Sequence, residues 1–380
     1  MKIVFLIRSM TFGGAERQLI ALARGLRDRG HEVHVCVFYA GGPMEAEFRA
    51  TGLPLTVLGK RGRWDIVGFL GRLARFLRHE RPDVLHGYLG MSNSLGVLLR
   101  PVHRARVVWG VRASDLDGHR NHWIYRLDAK IELLLSRFPD LIMTNSRAGR
   151  DHIVKLGFPA AKAIVIPNGI DSDRFRPDDR QRAAVRAELG VAGDELLVGR
   201  ARRVDPQKDF PTFLRATAIV APQRPTARFV CVGPGPDDYV RGLKALGEEL
   251  GLGQRLIWLG ARTDMPAVYN ALDVMVSSSA YGEGTPNVVA EAMACGVPCV
   301  ATDSGDSAWV VGDTGVVVSR GDVDAMAAAM IDLLDAVSQG AIDRGAVRQR
   351  IITNLSVDRL VDQTESALCR VVQERSAAWA

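Results

Sequence analysis

Short apolar runs alternate with amphipathic segments along most of the chain. Lys2–Ile7 is such a run and predicts a buried strand, which is followed by a Gly-Gly loop, a helix over 15–27 and a strand over 32–38. The apolar residues of that helix, among them Leu19 and Ala23, recur at helical spacing. Strands that alternate with helices are typical of parallel sheets covered by helices, so the pattern predicts an α/β protein.

The same alternation continues to the end of the chain. A polar, proline-bearing stretch over 170–180 separates two α/β halves, and 380 residues exceed one ordinary hydrophobic core. We therefore expect one domain over 1–170, a second over 171–357 and a final amphipathic helix over 358–380. The other predicted strands are 54–58, 83–87, 106–110, 140–144 and 163–166 in the first half, and 195–200, 228–232, 255–259, 273–277 and 297–301 in the second.

The stretch 281–302 carries the clearest signal for a binding site. A glycine loop leads to Thr285 and Pro286, which suit the N-cap and the first position of a helix, and Gly296 suits the end of that helix. The open N-terminus of a helix offers unpaired backbone N–H groups and the positive end of a dipole. The stretch therefore favours an anion at the start of this helix.

Two glutamates flank that helix start. Glu291 lies in a nearly all-apolar helix, where a buried carboxylate requires partners. Glu283 lies eight residues earlier, in the preceding loop. Because carboxylates accept hydrogen bonds from hydroxyl groups, the two glutamates around an anion site indicate a receptor for a phosphate attached to a polyol.

Polar side chains follow the predicted strands of the first half. In open α/β sheets the ligand lies outside the carboxyl ends of the strands. A single histidine in this position, here His86, is more often structural than catalytic, so a structural role is the alternative for it. The candidate residues are His86, Arg112, Ser114, Asn145 and Asn168.

Further loops carry cations or glycines that suit phosphate groups. Arg203 and Lys208 lie in one loop before a helix, where two cations suit a diphosphate. Gly13 and Gly14 precede the first helix and allow close approach of a ligand, although a simple tight turn explains them equally well. The sequence has no Gly-x-Gly-x-x-Gly fingerprint, no Walker pattern and no Cys–His spacing typical of a metal site.

Composition limits the remaining classes of function. An apolar content of 47% and a charged content of 24% are ordinary for a globular protein, and no apolar run is long enough for a membrane span. The first apolar run ends at Arg8, which favours a strand over a signal peptide. The five scattered cysteines favour buried thiols in a reducing compartment, so we expect a cytoplasmic protein.

The net charge of +6 is unevenly distributed. Residues 1–170 contain 26 Lys and Arg against 14 Asp and Glu, which is +12, and the remainder contains 23 against 29, which is −6. The segment 60–81 predicts an amphipathic helix with Arg72, Arg75 and Arg78 on one side. Such a helix suits an anionic membrane surface, and an ordinary surface helix with a solvated arginine face is the alternative.

In this order the motifs resemble the retaining glycosyltransferases of family 4, over essentially the whole chain. The most specific match is the family's Glu-x7-Glu motif, which is Glu283 and Glu291 in this sequence. The resemblance implies a GT-B fold, in which two Rossmann-like domains face each other across a cleft and the last helix returns to the N-terminal domain. The supporting matches are Gly13-Gly14, Arg203 with Lys208, Gly233-x-Gly235, and 167–171 at the domain junction.

The resemblance implies that the C-terminal domain binds a nucleotide-sugar donor. Glu291 would accept from the ribose hydroxyls, and Glu283 would contact the transferred sugar. The cations would neutralise the diphosphate leaving group. The implied donor-binding residues are Gly13, Gly14, Arg203, Lys208, Gly233, Gly235, Arg262, Glu283, Gly284, Thr285, Pro286, Asn287, Val288 and Glu291, and the implied catalytic residues are Glu283, Arg203, Lys208 and Arg112.

The same resemblance implies that the N-terminal domain binds a lipid-linked or oligosaccharide acceptor during synthesis of an envelope glycan or exopolysaccharide. It favours a UDP-sugar, a hexosyl or N-acetylhexosaminyl transfer, no metal, no cofactor and no nucleic-acid partner. Many family members carry a histidine near the sugar, where this chain has Arg112. The Asp-x-Asp spacings at 115/117, 171/173 and 322/324 lie outside glycine-rich phosphate loops, so we interpret them as chance.

Two other classes of enzyme share parts of this pattern. Nucleotide-sugar 2-epimerases have the same architecture and would produce an epimer from a UDP-sugar without an acceptor. A nicotinamide dehydrogenase would require a Gly-x-Gly-x-x-Gly loop, which the first loop lacks. We therefore keep the epimerase as the alternative to a glycosyltransferase.

Overall fold

The computed structural model describes residues 1–11, 13–62, 64–112 and 123–377. It forms two compact units, one of Met1–Gly169 with Val357–Ala380 and the other of Ile170–Ser356. Ser114, a predicted acceptor-site residue, lies outside the described residues. Among the described helices, none is long and apolar enough to cross a membrane.

The first unit is built on a parallel sheet. Its strands are β1 Lys2–Ile7, β2 Glu32–Val37, β3 Leu55–Val57, β4 Val84–Tyr88, β5 Arg106–Val111, β6 Leu141–Thr144 and β7 Ala163–Val165. They lie in the order β3-β2-β1-β4-β5-β6-β7. The strand order reverses between β1 and β4, because β2 and β3 are added on one side of β1 and β4 to β7 on the other. This position is the switch point of the sheet, and the crevice at the carboxyl ends of its two strands is the usual ligand position.

The helices of the first unit cover this sheet. The last of them, α15, packs on α1: Arg29 forms ion pairs with Glu365 at 2.7 Å and with Asp362 at 2.5 Å. The apolar face of α15, which includes Leu360 and Leu368, is buried in the same core as β1 and β2. The helices are α1 Gly14–Asp28, α2 Glu45–Ala50, α3 Val67–Glu80, α4 Gly90–Leu98, α5 Trp123–Leu135, α6 Arg147–Lys155 and α15 Val357–Ala377.

The second unit repeats this plan. Its strands are β8 Leu196–Ala201, β9 Ala227–Val232, β10 Leu256–Gly260, β11 Val274–Ser277, β12 Cys299–Thr302 and β13 Val316–Val318, in the order β10-β9-β8-β11-β12-β13. Here the reversal falls between β8 and β11. The helices are α7 Asp179–Glu188, α8 Phe210–Gln223, α9 Asp237–Glu249, α10 Met265–Ala271, α11 Asn287–Ala294, α12 Ser307–Val311, α13 Val323–Ser338 and α14 Arg344–Leu355.

Two parallel sheets with alternating helices confirm the predicted α/β class. Two boundaries around α11 differ from the prediction. Pro286, with φ −76° and ψ 90°, caps α11 in place of Thr285, because its carbonyl accepts the first helical bond and the residue before a proline is kept out of the helical region. β12 begins at Cys299 and not at 297, because the N–H of Val297 donates back to Ala292 and Pro298 has no N–H.

Candidate active site

The switch point of the second sheet brings two distant loops together. One loop follows β8 and carries Arg202, Arg203 and Lys208. The other follows β11 and carries Glu283. Because β8 and β11 are neighbours, these loops leave the same edge of the sheet.

Glu283 is the centre of an ion cluster in this crevice. Its side chain is 5% exposed. The Lys208 ammonium donates to its Oε1 at 2.9 Å, and the hydroxyl of Ser279 donates to the same oxygen at 2.6 Å. The guanidinium of Arg202 donates to that oxygen as well. Three donors on one oxygen orient the carboxylate and leave Oε2 as the atom that can accept from a ligand hydroxyl.

The charges of this cluster control its protonation. Burial alone would raise the pKa of Glu283, but Arg202 and Lys208 hold it well below its usual range, so the carboxylate is ionised at neutral pH. Burial and the neighbouring Arg202 lower the pKa of Lys208 to about 8, although Glu283 opposes that shift. Lys208 is therefore a cation at neutral pH that loses its proton under mildly alkaline conditions.

Arg203, the arginine predicted from the sequence, does not contact Glu283 in this structure. Its side chain is 63% exposed and lies 3.4 Å from Asp205. The loop after β8 is anchored on both sides of this residue, because the N–H groups of Arg202 and Val204 donate to the carbonyls of Val232 and Pro234 at 2.8 and 2.7 Å. From this loop Arg202 donates to Glu283, whereas the side chain of Arg203 lies largely in solvent.

Arg200 is a third cation that the sequence analysis overlooked. It is fully buried, and none of its guanidinium nitrogens has a hydrogen-bond partner. Its guanidinium carbon lies 4.3 Å from the ring centroid of Phe210 and 5.9 Å from that of Phe213. Burial lowers the pKa of Arg200 to about 10, so it remains charged at neutral pH. The arginine-rich stretch 200–203, where β8 ends and its loop begins, is the sequence signal for Arg200 and Arg202.

The predicted glycines of the β9 loop pack against the loop that carries the cations. A Cβ atom on Gly233, which has φ +140°, would lie 1.8 Å from the carbonyl oxygen of Arg202. A Cβ on Gly235 would lie 2.5 Å from the side chain of Val204. In this structure both glycines are therefore required by the packing of the two loops. Contact of either glycine with a donor stays a prediction.

Arg262, predicted to bind the donor, is held by two carboxylates. It forms ion pairs with Glu188 at 2.5 Å and Asp264 at 2.7 Å. The hydrogen bonds that its guanidinium donates to Asp264 and Glu188 raise the pKa of Arg262 further above its usual range. A ligand anion would therefore have to compete with both of them.

Helix α11 places Glu291 beneath the loop of Glu283. Glu291 is 6% exposed and accepts a hydrogen bond from the hydroxyl of Tyr269 at 2.9 Å. Burial and the nearby Glu291 raise the pKa of Tyr269 well above its usual value. Gly284 accepts from the N–H of Asp306 at 3.0 Å, which ties the predicted anion loop to the chain after β12. Of the other predicted loop residues, Thr285 precedes the helix, Pro286 is its N-cap, and Asn287 and Val288 are its first two residues.

The switch point of the first sheet has a strained residue and a buried carboxylate. Leu89 directly follows β4 with φ +68°, which is rare for a residue with a side chain and typical of functional loops. Gly13 is the N-cap of α1, which begins at Gly14. Glu16, in the first turn of α1, is 8% exposed and accepts from the hydroxyl of Thr11. A Cβ atom on Gly13 would lie 2.4 Å from the Glu16 carboxylate, so this glycine leaves room for a buried acid that the sequence analysis missed.

Two candidates from different strand ends meet: Arg112, a predicted catalytic residue after β5, and Asn168, a predicted acceptor-site residue after β7. The guanidinium of Arg112 donates to the side-chain oxygen of Asn168 at 3.0 Å and to the hydroxyl of Tyr88 at 2.6 Å. It also lies 4.6 Å from the centroid of the Tyr88 ring. Asn145, which follows β6, is buried as well.

His86 does not lie at the ligand edge as predicted. β4 continues to Tyr88, so His86 is a fully buried residue within the strand. Its ring packs 5.2 Å from that of Phe5 and 5.0 Å from that of Tyr88, between centroids. Burial and the nearby Arg112 lower the pKa of His86 to about 3, so the imidazole is neutral. The structural interpretation of this histidine is the one that the packing favours.

The described residues form no group of three or more His, Cys, Asp or Glu side chains that could hold a metal ion. The five cysteines, all within the described part of the chain, are unpaired thiols. Metal-independent chemistry stays a prediction.

Comparison with known proteins assigns both halves of the chain to related families. Residues 12–174 match the model described as Glycosyltransferase Family 4, and residues 194–336 match the model described as Glycosyl transferases group 1. These segments contain the Gly13-Gly14 loop and the Glu283–Glu291 stretch, respectively.

Relatives of curated function and a solved structure agree with this assignment. The chain is 32% identical over 288 residues to a D-inositol 3-phosphate glycosyltransferase of Mycobacterium marinum, a match that covers 71% of this chain and 60% of the relative. It is 30% identical over 275 residues to a GDP-mannose-dependent alpha-(1-6)-phosphatidylinositol monomannoside mannosyltransferase of Mycolicibacterium smegmatis, covering 69% and 70%. The Anabaena protein Alr3699/HepE, crystallised with UDP and glucose, matches with a TM-score of 0.84 and 25% identity over 97% of this chain and 100% of that one. The chain therefore belongs to glycosyltransferase family 4 and has the GT-B type of α/β fold.

Proposed function

We propose that this protein transfers a sugar from a nucleoside-diphosphate donor to a hydroxyl group of a glycan or lipid-linked acceptor, with retention of anomeric configuration and without a metal ion. The main supporting observation is the cluster of Glu283 with Lys208 and Arg202 at the second sheet's switch point. An ionised carboxylate has no proton to donate, so Glu283 is suited to orienting the sugar and not to general-acid catalysis. The cations are suited to the charge that develops on a departing diphosphate.

Each residue of the site has a defined role in this proposal. Lys208 and Arg202 neutralise the diphosphate while they remain near Glu283, whose Oε2 accepts from a sugar hydroxyl. Arg203 joins them, because a 63% exposed side chain can rotate onto a bound ligand. Glu291, oriented by the hydroxyl of Tyr269, accepts from the ribose. The N-terminus of α11 adds backbone N–H donors to the phosphate.

The base of the donor is the least constrained part of the proposal. The resemblance to family 4 favours a UDP-sugar, and the Anabaena structure contains UDP and glucose. The Mycolicibacterium relative is GDP-mannose-dependent. Glucose and mannose are both hexoses, so we propose that the donor is a nucleoside-diphosphate hexose. Direct binding measurements with UDP and GDP identify the base.

The acceptor is proposed to bind at the switch point of the first sheet. The strained Leu89 follows β4 at the carboxyl edge of that sheet. Arg112, which follows β5, is bonded there to Tyr88 at the end of β4 and to Asn168 beyond β7. The names of the two mycobacterial relatives refer to inositol-containing acceptors. We propose a polyol or glycan hydroxyl as the attacking group, in envelope or exopolysaccharide synthesis.

Peripheral membrane binding through the segment 60–81 is a further part of the proposal. Trp64 and Val67, before and at the start of α3, are each 86% exposed, which is unusual for such apolar side chains. Arg75 is also exposed on this helix, whereas Arg72 is tied to Asp65 and to the carbonyl of Leu58. A Trp64→Ala/Arg75→Glu variant should lose binding to anionic vesicles relative to wild type, and an Arg241→Glu variant, which changes an exposed arginine of the second unit, should not. Equal vesicle binding by all three proteins would contradict the membrane assignment.

A thermal-shift panel of UDP, GDP, UMP and GMP tests the proposed donor. A ligand at a hundred times its dissociation constant stabilises the folded state by about 2.7 kcal/mol, so the correct nucleoside diphosphate should raise the melting temperature clearly. The diphosphate should raise the melting temperature more than the monophosphate of the same base does, because the cations are proposed to contact the second phosphate. If no nucleotide raises the melting temperature, the donor assignment is wrong. Epimer formation from a UDP-sugar alone would favour the 2-epimerase.

A further inference from the structure

A pocket lies at the amino edge of the first sheet, opposite the edge of the proposed acceptor site. It has a volume of about 510 Å³, which is within the usual range of ligand pockets. It lies between the end of α3, before β4, and the 3-10 turn Arg100–Val102, before β5. The lining includes Arg78, Arg81, Arg104 and His103, with Leu77 and Val102 as apolar walls. No described acidic side chain lines it.

The three arginines make the pocket a strongly cationic environment. Arg78 lies in the last turn of α3, and Arg81 is the residue that ends this helix. Arg81 has φ +47° and ψ 54°, a left-handed conformation that is followed directly by the buried Pro82. Guanidinium groups bind phosphate through paired N–H donors, so a pocket lined by three arginines and by no described carboxylate suits a phosphate ester.

His103 lines the pocket and has a buried acceptor without a hydrogen-bond partner. Its side chain is 6% exposed, and its Nε2 lies 3.0 Å from the carbonyl oxygen of Gly96. Because a carbonyl can only accept, Nε2 carries the proton and donates it. Burial lowers the pKa of His103 below its usual value, so the ring is neutral and Nδ1 has a lone pair. This buried Nδ1 has no hydrogen-bond partner.

A buried acceptor without a partner is costly, and a ligand with a hydroxyl group would satisfy it. We propose that this pocket binds a phosphate ester that carries a hydroxyl group, with the phosphate on Arg78, Arg81 and Arg104 and the hydroxyl donating to Nδ1 of His103. Glycerol phosphate is the simplest molecule with this chemistry, as a free compound or as the head group of a phospholipid. The site is separate from the donor site, which lies in the other unit, and its existence does not depend on the proposed transfer reaction.

Calorimetry with the full-length protein tests the site, with glycerol 3-phosphate as the probe and with glycerol and sulfate as partial ligands. Glycerol 3-phosphate should bind saturably and more tightly than either partial ligand. An Arg78→Gln/Arg81→Gly variant should weaken binding by about tenfold or more, the effect of losing charge-assisted hydrogen bonds. Glycine at 81 retains the left-handed backbone, and Arg75→Gln is the matched control because Arg75 is an exposed arginine of the same helix that does not line the pocket.

A His103→Gln variant separates the two parts of the proposal. Glutamine can still donate to the Gly96 carbonyl but offers no acceptor at the Nδ1 position. The His103→Gln variant should weaken the binding of glycerol 3-phosphate severalfold and leave the binding of sulfate unchanged. Nucleotide binding to the second unit should be retained in all these variants, which shows that they are folded and keeps this test independent of the donor proposal.

Vesicles distinguish the two sources of the ligand. If the Arg78→Gln/Arg81→Gly variant loses binding to phosphatidylglycerol vesicles and Arg241→Gln, at an exposed arginine of the second unit, does not, the occupant is a lipid head group. If both variants bind such vesicles like wild type while the soluble probe is lost in the double variant, the occupant is a free phosphate ester. Absence of saturable binding of the soluble probe and of the vesicles, or an equal loss of soluble-probe binding in Arg75→Gln, would overturn the assignment.

Discussion

Replacement of Glu283 by glutamine tests whether the ion cluster of the second unit is held together as the structure indicates. Glutamine has nearly the same shape and can still accept from the Ser279 hydroxyl, but it removes the negative charge between Lys208 and Arg202. Lys208 is 9% exposed. The variant therefore leaves two cations side by side in a crevice that largely excludes water.

The expected size of the effect follows from the distances. At the 2.9 Å that separates the Lys208 ammonium from Glu283, two unit charges attract by about 6 kcal/mol at an effective dielectric constant of about 20. Desolvation of the buried ions offsets much of this attraction, and removal of one partner of a buried pair destabilises proteins by about 3 to 5 kcal/mol. We expect Glu283→Gln to lower the free energy of unfolding by about 3 kcal/mol, the lower end of this range, because the hydrogen bond from Ser279 can remain.

Scanning calorimetry of wild type and variant measures this difference, with Glu188→Gln as the control. Glu188 also accepts from an arginine, Arg262, but its side chain is 48% exposed, so its loss should change stability little. A nucleoside diphosphate should stabilise Glu283→Gln more than wild type, because the phosphates supply the missing negative charge to Arg202 and Lys208. If Glu283→Gln unfolds no earlier than Glu188→Gln, the buried ion cluster is not the stabilising feature that we describe.

Three other perturbations have expected outcomes of defined sign. The pKa of Lys208 is lowered to about 8, so binding of a nucleoside diphosphate should weaken as the pH rises from 7 to 9. Lys208→Arg should lose this dependence because arginine stays charged. The same loss of affinity between pH 7 and 9 in the variant would contradict the role of Lys208. Arg200→Met should raise the unfolding free energy by about 1 to 3 kcal/mol, because it replaces an unpaired buried charge, and should weaken diphosphate binding; lower stability would show that the guanidinium has partners. Gly233→Ala should destabilise the second unit by about 2 to 3 kcal/mol through its clash with a backbone carbonyl, whereas Gly242→Ala, in open space on α9, should stabilise by about 0.5 to 1 kcal/mol.

Local pattern was sufficient for the α/β class and for the position of most elements. Runs such as Lys2–Ile7 are almost continuously apolar because both faces of a parallel strand are buried, and such runs are visible without any tertiary information. The glycine loop before α11 and the spacing of Glu283 and Glu291 were equally visible, since a carboxylate in an apolar helix requires a specific partner. The identity of that partner, Tyr269, was not.

Boundaries were less predictable where a backbone group had two competing partners. Val297 is apolar and was assigned to a strand, but its N–H closes the end of α11. His86 was assigned to a strand end, but β4 runs two residues further and buries it. In both cases the sequence pattern is compatible with either arrangement, and the hydrogen bonds available in the folded chain decide between them.

The amino-acid order alone predicts the alternation of strands and helices, the two glutamates around a helix start and the cations in the loop after β8. It does not predict which of these groups meet, because that depends on how the strands are ordered in the sheet. The strand order places β8 beside β11, so Lys208 and Glu283, which are 75 residues apart, share an ion pair. The loop after β8 directs Arg202 toward Glu283 and Arg203 toward solvent. Strand order and side-chain direction depend on long-range packing, and one-dimensional spacing carries no record of either.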